Sequence, residues 1–172
     1  MIKRENEEPA PQLSPKEMLT AYLEKWKIRK SPERYSVLEA ASRQTGLFTI
    51  AQLYDYMLGV MHFHLSKATV YSALEVLTQA GIVVEHMFDT HGTRFEWALG
   101  RTTFNYMICT RCGRITPIVD PSFDRAVKLV RTPRLHATHS KTYVYGVCAT
   151  CVSKERKRNR KQQAKDNDTR KS

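Results

Sequence analysis

The chain is predicted to be an α/β (α+β) protein, with an N-terminal winged helix-turn-helix and a small second α/β domain. Three observations predict this arrangement. Four segments of helical periodicity precede two segments in which apolar and polar residues alternate. A shorter pattern of strands and one helix then follows. Two Cys-x-x-Cys pairs lie at the two ends of that second pattern.

The first domain is predicted over residues 14–100. Ser14 is the predicted N-cap of the first helix and Ser66 that of the fourth. The second helix starts at Ser31-Pro32, and the third begins near Thr49. The fourth helix runs to Ala80 and ends at Gly81. Residues 82–88 and 95–99 alternate in polarity around a turn at residues 89–92, which predicts a β-hairpin, the wing.

The second domain is predicted over residues 101–152. Residues 104–108, 114–119 and 139–147 are predicted strands, and a helix over residues 121–131 follows Asp120. Residues 1–13 are predicted to be a disordered leader. Residues 153–172 are predicted to be a disordered basic tail, since they are charged and of low complexity.

The charge and hydropathy of the chain indicate which partners it binds and in which cell compartment it is expected. The 172 residues carry a formal net charge of +11, and the segment from Lys154 to Lys171 holds nine Lys or Arg against three acidic residues. The remainder is therefore also basic, which favours phosphate-bearing partners, although solubility alone is the simpler interpretation. The chain has no apolar run long enough to span a membrane and no signal peptide at its polar N-terminus. A cytoplasmic protein is expected.

The four cysteines predict a structural zinc site. They form two pairs, Cys109 with Cys112 and Cys148 with Cys151, and a two-residue gap lets both thiolates of a pair bind one ion. Thiolates select Zn²⁺, and a closed site of four cysteine ligands leaves no open position for chemistry. A redox pair, a disulfide and an iron–sulfur cluster are the alternatives, of which the cytoplasm disfavours the disulfide.

The fourth helix is the predicted DNA-reading element. A recognition helix presents its N-terminal turn to the major groove. The side chains expected to contact DNA are Ser66, Lys67, Ala68, Thr69 and Tyr71, with Arg94 on the wing. The alternative is that Ser66 only caps the helix and Tyr71 only packs. An enzyme is not expected, because no nucleophile with a base, paired carboxylates or phosphate loop stands out.

Several motifs together resemble the ferric uptake regulator family. They are Ala68-Thr69-Val70-Tyr71, Ala80-Gly81-Ile82-Val83, Arg94-Phe95-Glu96, Ile108-Cys109-x-x-Cys112-Gly113 and Tyr143-x-Tyr145-Gly146-x-Cys148-x-x-Cys151. The resemblance covers about residues 30–151. It implies an N-terminal winged helix, a C-terminal dimerisation domain and a homodimer that represses promoters in double-stranded DNA when a metal or another signal is bound.

The chain departs from the family where the resemblance places metal sensing. The family has Arg after Thr-Val-Tyr, and this chain has Ser72. The segment before the first cysteine pair, residues 102–106, contains no His, and Leu47 and Pro117 replace two further expected ligands. Glu96 alone matches that set. The usual regulatory metal site is therefore expected to be absent, and an Fe²⁺, Mn²⁺ or haem effector is left open.

A second metal or effector site is a further candidate. Its residues would be Glu96, Asp124, His136 and His139, of which the last three lie near a secondary site of the family. A lone His is more often a surface or packing residue. The alternative function is a zinc-containing nucleic-acid-binding module or scaffold that uses its basic tail without sensing a metal.

Overall fold

A computed structural model describes residues 13–88, 92–130 and 139–169, apart from the side chains of Lys128 and of residues 164–169. The backbone divides into two compact units, residues 1–100 and residues 101–172. The division falls directly after Gly100, the last residue of the first predicted domain. None of the helices in the described ranges combines the length and the apolarity that crossing a bilayer requires.

The first unit consists of four helices followed by a two-stranded hairpin. Its elements are α1 (Pro15–Lys25), α2 (Pro32–Ser42), α3 (Ile50–Gly59), α4 (Lys67–Gln79), β1 (Val83–Phe88) and β2 (Gly92–Trp97). One apolar core joins them, and its fully buried side chains include Leu19, Leu23, Val37, Leu53, Met57, Val70, Leu74, Leu77 and Ile82. The order of elements is that of a winged helix-turn-helix, as predicted.

Local capping sets where the helices begin. The Ser14 backbone N–H donates to Glu17 Oε2 at 2.7 Å, and the Glu17 N–H donates to Ser14 Oγ at 3.3 Å. Thr49 and Gln52 make the same reciprocal pair at the start of α3, at 2.8 and 3.0 Å. Each capping box satisfies two N–H groups that have no partner inside the helix.

The end of α4 positions the wing. Gly81 adopts a φ of +72°, which is accessible to glycine without strain. The Ile82 N–H donates to the Leu77 carbonyl and the Gly81 N–H to the Thr78 carbonyl, both at 3.0 Å, which is the Schellman pattern. Because this turn reverses the chain immediately after α4, the next buried residue, Ile82, leads into β1.

The wing is an antiparallel hairpin with a third chain segment along its edge. Val83 lies opposite Trp97 and Phe88 opposite Gly92. Phe48, between α2 and α3, exchanges two backbone hydrogen bonds of 2.8 Å with Phe95 on β2. The predicted turn residues 89–91 lie outside the described residues. The two Phe48–Phe95 hydrogen bonds attach the wing to the helical part of the same unit.

The second unit is built on a three-stranded sheet. Its elements are β3 (Thr103–Cys109), β4 (Ile115–Pro117), α5 (Pro121–Leu129), β5 (Ser140–Gly146) and α6 (Ala149–Thr169). The strand order is β4-β3-β5, with β4 antiparallel and β5 parallel to the central β3. Phe104, Tyr106 and Ile108 alternate along β3 and are buried, so one face of β3 supplies much of this unit's core.

The C-terminal tail differs from the sequence-based expectation. Residues 153–169 were expected to be disordered, but α6 continues to Thr169. Lys, Arg, Gln and Glu, all good helix formers, dominate this stretch. The compositional rule for disorder weighs charge and low hydrophobicity and takes no account of this propensity. The expected disordered leader, residues 1–13, lies outside the described residues except for Leu13.

Two methionines of the first unit provide a matched test of its core. Met57 is 1% exposed and Met87 is 74% exposed. Met57→Ala is expected to lower the free energy of unfolding by about 2–5 kcal/mol, because it leaves a cavity in the core. Met87→Ala is expected to lower it by less than about 1 kcal/mol. Urea unfolding followed by tryptophan fluorescence reports this unit alone, since Trp26 and Trp97 both belong to it. Equal losses would contradict the described packing.

Candidate metal centre and nucleic-acid interface

Three chain segments bring the four cysteines together. Cys109 ends β3 and Cys112 lies in the turn that leads to β4. Cys148 follows β5, and Cys151 lies in the first turn of α6. Since β3 and β5 are parallel and Cys109 lies opposite Gly146, both pairs lie at the same end of the sheet.

The geometry of the four sulfur atoms fits a tetrahedral zinc site. All four Sγ atoms lie within 4.8 Å of one another, and Cys112 Sγ is 3.7 Å from Cys148 Sγ. A Zn–S distance of about 2.3 Å places tetrahedral sulfur ligands about 3.8 Å apart. The four cysteines are not in disulfides. Among the described residues, they are the only group of three or more His, Cys, Asp or Glu side chains arranged to hold a metal ion.

Backbone N–H groups prepare two of the thiols for ionisation. The Cys148 N–H donates to Cys109 Sγ at 3.3 Å, and this bond, followed by one from Cys112, lowers the pKa of Cys109 to about 5. A backbone hydrogen bond from Cys151 lowers the pKa of Cys148. Cys151 has its pKa raised to about 12, chiefly by its hydrogen bond with the Cys112 side chain. Zinc binds cysteine as the thiolate, so zinc binding would release the protons that remain on this cluster.

The turn after Cys109 and an ion pair fix the first cysteine pair in place. Gly113 adopts a φ of +71°, and its N–H donates to the Cys109 carbonyl at 2.8 Å. Arg111, between the two ligands, forms a two-bonded ion pair with Glu155 on α6, at 2.7 and 2.9 Å. Arg111 lowers the pKa of Glu155, and Glu155 raises the pKa of Arg111. α6 is therefore joined to the sheet both by the cysteine ligands and by the Arg111–Glu155 ion pair.

The predicted recognition helix has one buried and one exposed face. Val70, Ala73, Leu74 and Leu77 of α4 are buried in the core of the unit. The opposite face exposes Lys67, Ala68, Tyr71 and Ser72, and Tyr71 is 57% exposed. An aromatic ring of this size on the solvent side of a helix does not pack in the core, which argues against the packing alternative for Tyr71.

Two of the predicted DNA contacts are partly engaged within the helix cap. Ser66 Oγ accepts from the Thr69 N–H at 3.1 Å and lies 2.8 Å from Thr69 Oγ1. Lys67 Nζ lies 5.8 Å from the centre of the Tyr54 ring. Arg94 is on β2, opposite His86, and is half-buried. Lys67, Ala68 and Tyr71 are therefore the most accessible of the predicted residues, with Arg94 behind the wing turn.

The candidates for a second metal site have other neighbours in the described residues. Glu96 Oε2 lies 3.4 Å from His86 Nε2, and both side chains are buried in the wing. Asp124 accepts hydrogen bonds from the Thr103 hydroxyl and, at 3.4 Å, from Asn105 Nδ2. His139 packs edge-on against Phe104. His136 lies outside the described residues, so the complete site stays a prediction.

His86 would join Glu96, Asp124, His136 and His139 if a second metal site forms, and the alternation of the hairpin is the sequence signal that turns it inward. His86 and Phe88 alternate inward along β1, and their rings stack with centroids 5.7 Å apart. Glu96 is buried on β2, the strand that pairs with β1. Burying a carboxylate without a partner is costly, and the His86 imidazole lies 3.4 Å from the Glu96 carboxylate.

The positions where metal ligands were expected carry aromatic or apolar side chains. Phe104 and Tyr106 of β3 are buried, and Tyr106 lies opposite Pro117 of β4. Leu47, in the first unit, is half-buried next to the Phe48 bridge. None of these four side chains is among the usual ligands of a divalent ion, and two of them fill the core of the second unit.

Comparison with known proteins gives one consistent result. The family model described as "Ferric uptake regulator family" matches residues 25–145. The "Peroxide operon regulator" of Bacillus subtilis (strain 168) is 29% identical over 130 residues, which are 74% of this chain and 87% of that protein. The "Peroxide-responsive repressor PerR" of Staphylococcus epidermidis is 28% identical over 134 residues, 76% of this chain and 86% of its own.

Solved structures share the fold. The ferric uptake regulator from Pseudomonas aeruginosa with manganese superposes with a TM-score of 0.61 at 22% identity and covers 76% of this chain and 97% of its own. The ferric uptake regulator Fur of Helicobacter pylori gives a TM-score of 0.61 at 18% identity, over 81% of this chain and 95% of its own.

Metal analysis of the purified chain tests the cysteine site. Protein prepared without added metal is expected to contain one zinc per chain, and Cys112→Ser is expected to lose it, because a serine hydroxyl is a poor ligand for zinc. Arg111→Gln, in the same turn, removes a charge but no ligand and is expected to keep the zinc. Elemental analysis measures both. Two or more metal ions per chain would instead indicate a second site at Glu96, Asp124, His136 or His139.

Proposed function

Because the chain belongs to the ferric uptake regulator family, it is a DNA-binding transcription regulator and not an enzyme, and we propose that it represses its promoters as a cytoplasmic homodimer. One structural zinc per chain, bound by Cys109, Cys112, Cys148 and Cys151, would close the second unit. In the relatives, repression is named as peroxide-responsive. For this chain, we propose that DNA binding does not depend on a regulatory metal ion.

The exposed face of α4 is the observation that carries the DNA-binding assignment. Tyr71 is 57% exposed while its neighbours Val70 and Leu74 are buried. Lys67 in the first turn supplies a cation, and Ala68 permits close approach to base edges. Tyr71 reaches a thymine methyl group or a phosphate oxygen. Ser72 replaces the arginine that the family has here, which removes one positive contact and changes the expected sequence preference.

The second unit supports the homodimer. Several apolar side chains of this unit are exposed, and they include Met107 at 46%, Tyr145 at 49% and Leu129 at 79%. In the described part of the chain, β5 is paired on one side only, with β3. An edge strand and exposed apolar side chains are both features that a second copy can cover.

Regulation by a metal ion at the usual family position is not part of the proposal. The positions that the family resemblance assigns to metal ligands carry aromatic or apolar side chains, and two of them, Phe104 and Tyr106, are core residues of the second unit. Glu96, the one matching residue, lies against His86. We therefore infer that the zinc-loaded dimer is competent to bind DNA without a further divalent ion.

A second candidate function has one observation in its favour. The basic helix α6 could bind nucleic acid by itself and make the chain a zinc-containing module without sequence choice. That hypothesis predicts that binding persists without Tyr71 and is lost without residues 153–172. The regulator hypothesis predicts that sequence preference is lost with Tyr71.

DNA selection with the full-length chain tests the regulator hypothesis. A duplex selected from a random pool is expected to bind more tightly than unselected duplex. The double variant Lys67→Ala, Tyr71→Ala is expected to lose about thirtyfold or more in affinity for the selected duplex, since each lost contact costs about 1–3 kcal/mol. Fluorescence anisotropy at fixed salt measures the affinity.

Gln79→Ala is the control, because it removes a polar side chain from the far end of the same helix. It is expected to bind the selected duplex as the unchanged chain does. If no duplex is enriched from the pool, or if the double variant retains full preference, α4 does not read DNA.

Effector titration tests the absence of regulatory metal binding. Adding Fe²⁺, Mn²⁺, Zn²⁺ or haem to the zinc-loaded chain is expected to change its affinity for the selected duplex by less than about twofold. A ligand changes DNA affinity only if it binds the DNA-competent state and the alternative state with different affinities. A tenfold change with any of them would contradict the proposal. Loss of that change in Glu96→Gln, with its retention in Asp124→Asn, would assign the site to Glu96.

A further inference from the structure

The helix α6 carries an unusual density of positive charge. Its described side chains between residues 154 and 161 include six cations, all exposed: Lys154, Arg156, Lys157, Arg158, Arg160 and Lys161. Glu155 is the only acidic residue from Ala149 to Lys161. Its carboxylate is bound by Arg111, outside the helix, at 2.7 Å. The cations of this helix therefore have no other acidic residue on that stretch to neutralise them.

This arrangement of charges would destabilise α6 if it were an isolated helix. Lys154 and Arg158, Arg156 and Arg160, and Lys157 and Lys161 are like charges four residues apart on the same face. Most of the cations also lie in the N-terminal two thirds of the helix, toward the positive end of the helix dipole. A polyanion along the helix would reverse both effects.

The zinc site and the ion pair hold the start of the helix. Cys151 is in the first turn, and the Val152 N–H donates to the Cys148 carbonyl at 3.0 Å. The Arg111 guanidinium binds both oxygens of Glu155, one turn further along. The basic segment is thus a continuation of the metal-bound turn and begins from a fixed point on the second unit.

The side chains of α6 select the chemistry of the partner. Apolar residues are absent from Ser153 to Gln163, so this part of the helix has no apolar stripe with which to enter a membrane interface or an apolar groove. Cations lie on several faces of the helix. Residues 154–161 span about 12 Å of helix. Duplex DNA carries one negative charge per about 1.7 Å of its axis, a density that matches this segment.

We propose that α6 is a second DNA-binding element, a zinc-held basic arm that contacts phosphates of duplex DNA without reading bases. The inference rests on the proposed function, because it assumes that the chain binds DNA. In this proposal α4 recognises the DNA sequence, and α6 adds affinity that does not depend on the sequence. Contacts between α6 and phosphates would make binding more dependent on salt, since each phosphate contact releases counterions.

The experiment measures binding of the full-length, zinc-loaded chain to a random-sequence duplex of about 30 base pairs between about 50 and 200 mM salt. The test variant carries Arg156→Gln, Lys157→Gln, Arg160→Gln and Lys161→Gln, which leaves Glu155 and its two neighbouring cations, Lys154 and Arg158, unchanged. Glutamine has a helix propensity close to that of Arg and Lys, so α6 is expected to persist.

The slope of log K against log salt is expected to become shallower by about 3 to 4 per bound chain when four contacts are lost. Over the same salt range, the unchanged chain then loses roughly a hundredfold more affinity than the variant. The matched control carries Lys16→Gln, Arg43→Gln, Arg114→Gln and Arg125→Gln, four exposed cations on other parts of the chain. It is expected to change the slope by less than about 1. Equal changes in both variants would reduce the effect to net charge and overturn the proposal.

Amide hydrogen exchange locates the contact. Exchange over residues 153–163 is expected to slow when the random duplex is added, and to slow far less in the test variant. Unchanged exchange, or a change seen only with duplex RNA, would overturn the proposal. The proposed function fails separately: if no duplex is enriched from a random pool, α4 does not read DNA, whatever α6 contributes to the salt slope.

Discussion

Four thiolates around one zinc ion are the constraint on which the second unit depends. The described part of this unit buries few large side chains, chiefly Phe104, Tyr106 and Ile108 of β3. A core of that size supplies little stabilisation, and small units of this kind need a disulfide, a metal or a partner. The cysteines join the end of β3, the end of β5 and the first turn of α6. Loss of the ion would therefore remove a link shared by the ends of both strands and the start of the basic helix.

Most of the positions to which the family resemblance assigns regulatory metal ligands carry side chains of other types in this chain. Tyr106 is buried on β3, and the residue opposite it on β4, Pro117, is exposed. Glu96 Oε2 lies 3.4 Å from His86 Nε2 inside the wing. The cysteine cluster connects β3, β5 and the first turn of α6, which strand pairing and the Arg111–Glu155 ion pair also join.

Much of the fold follows from short-range signals. The Ser14 and Thr49 capping boxes and the Schellman turn at Gly81 are local hydrogen-bond patterns, so the sequence marks these boundaries almost to the residue. The cysteine pairs were recognisable for the same reason, since two residues between ligands place both sulfurs on one ion. The wing turn and His136 lie outside the described residues, and the expectations for them stay predictions.

The sequence by itself determined the order of elements, the face of α4 that is buried, the two ligand pairs and the excess of positive charge. Each depends on periodicity or on residues a few positions apart. Only the tertiary structure decided that β3 and β5 are parallel and in a register that brings Cys109 to Cys148, and that His86 meets Glu96 across the hairpin. It also decided that α6 begins at the cysteine cluster, where Arg111 of a distant segment binds Glu155. Long-range register and anchoring depend on partners far along the chain, which local propensity does not encode.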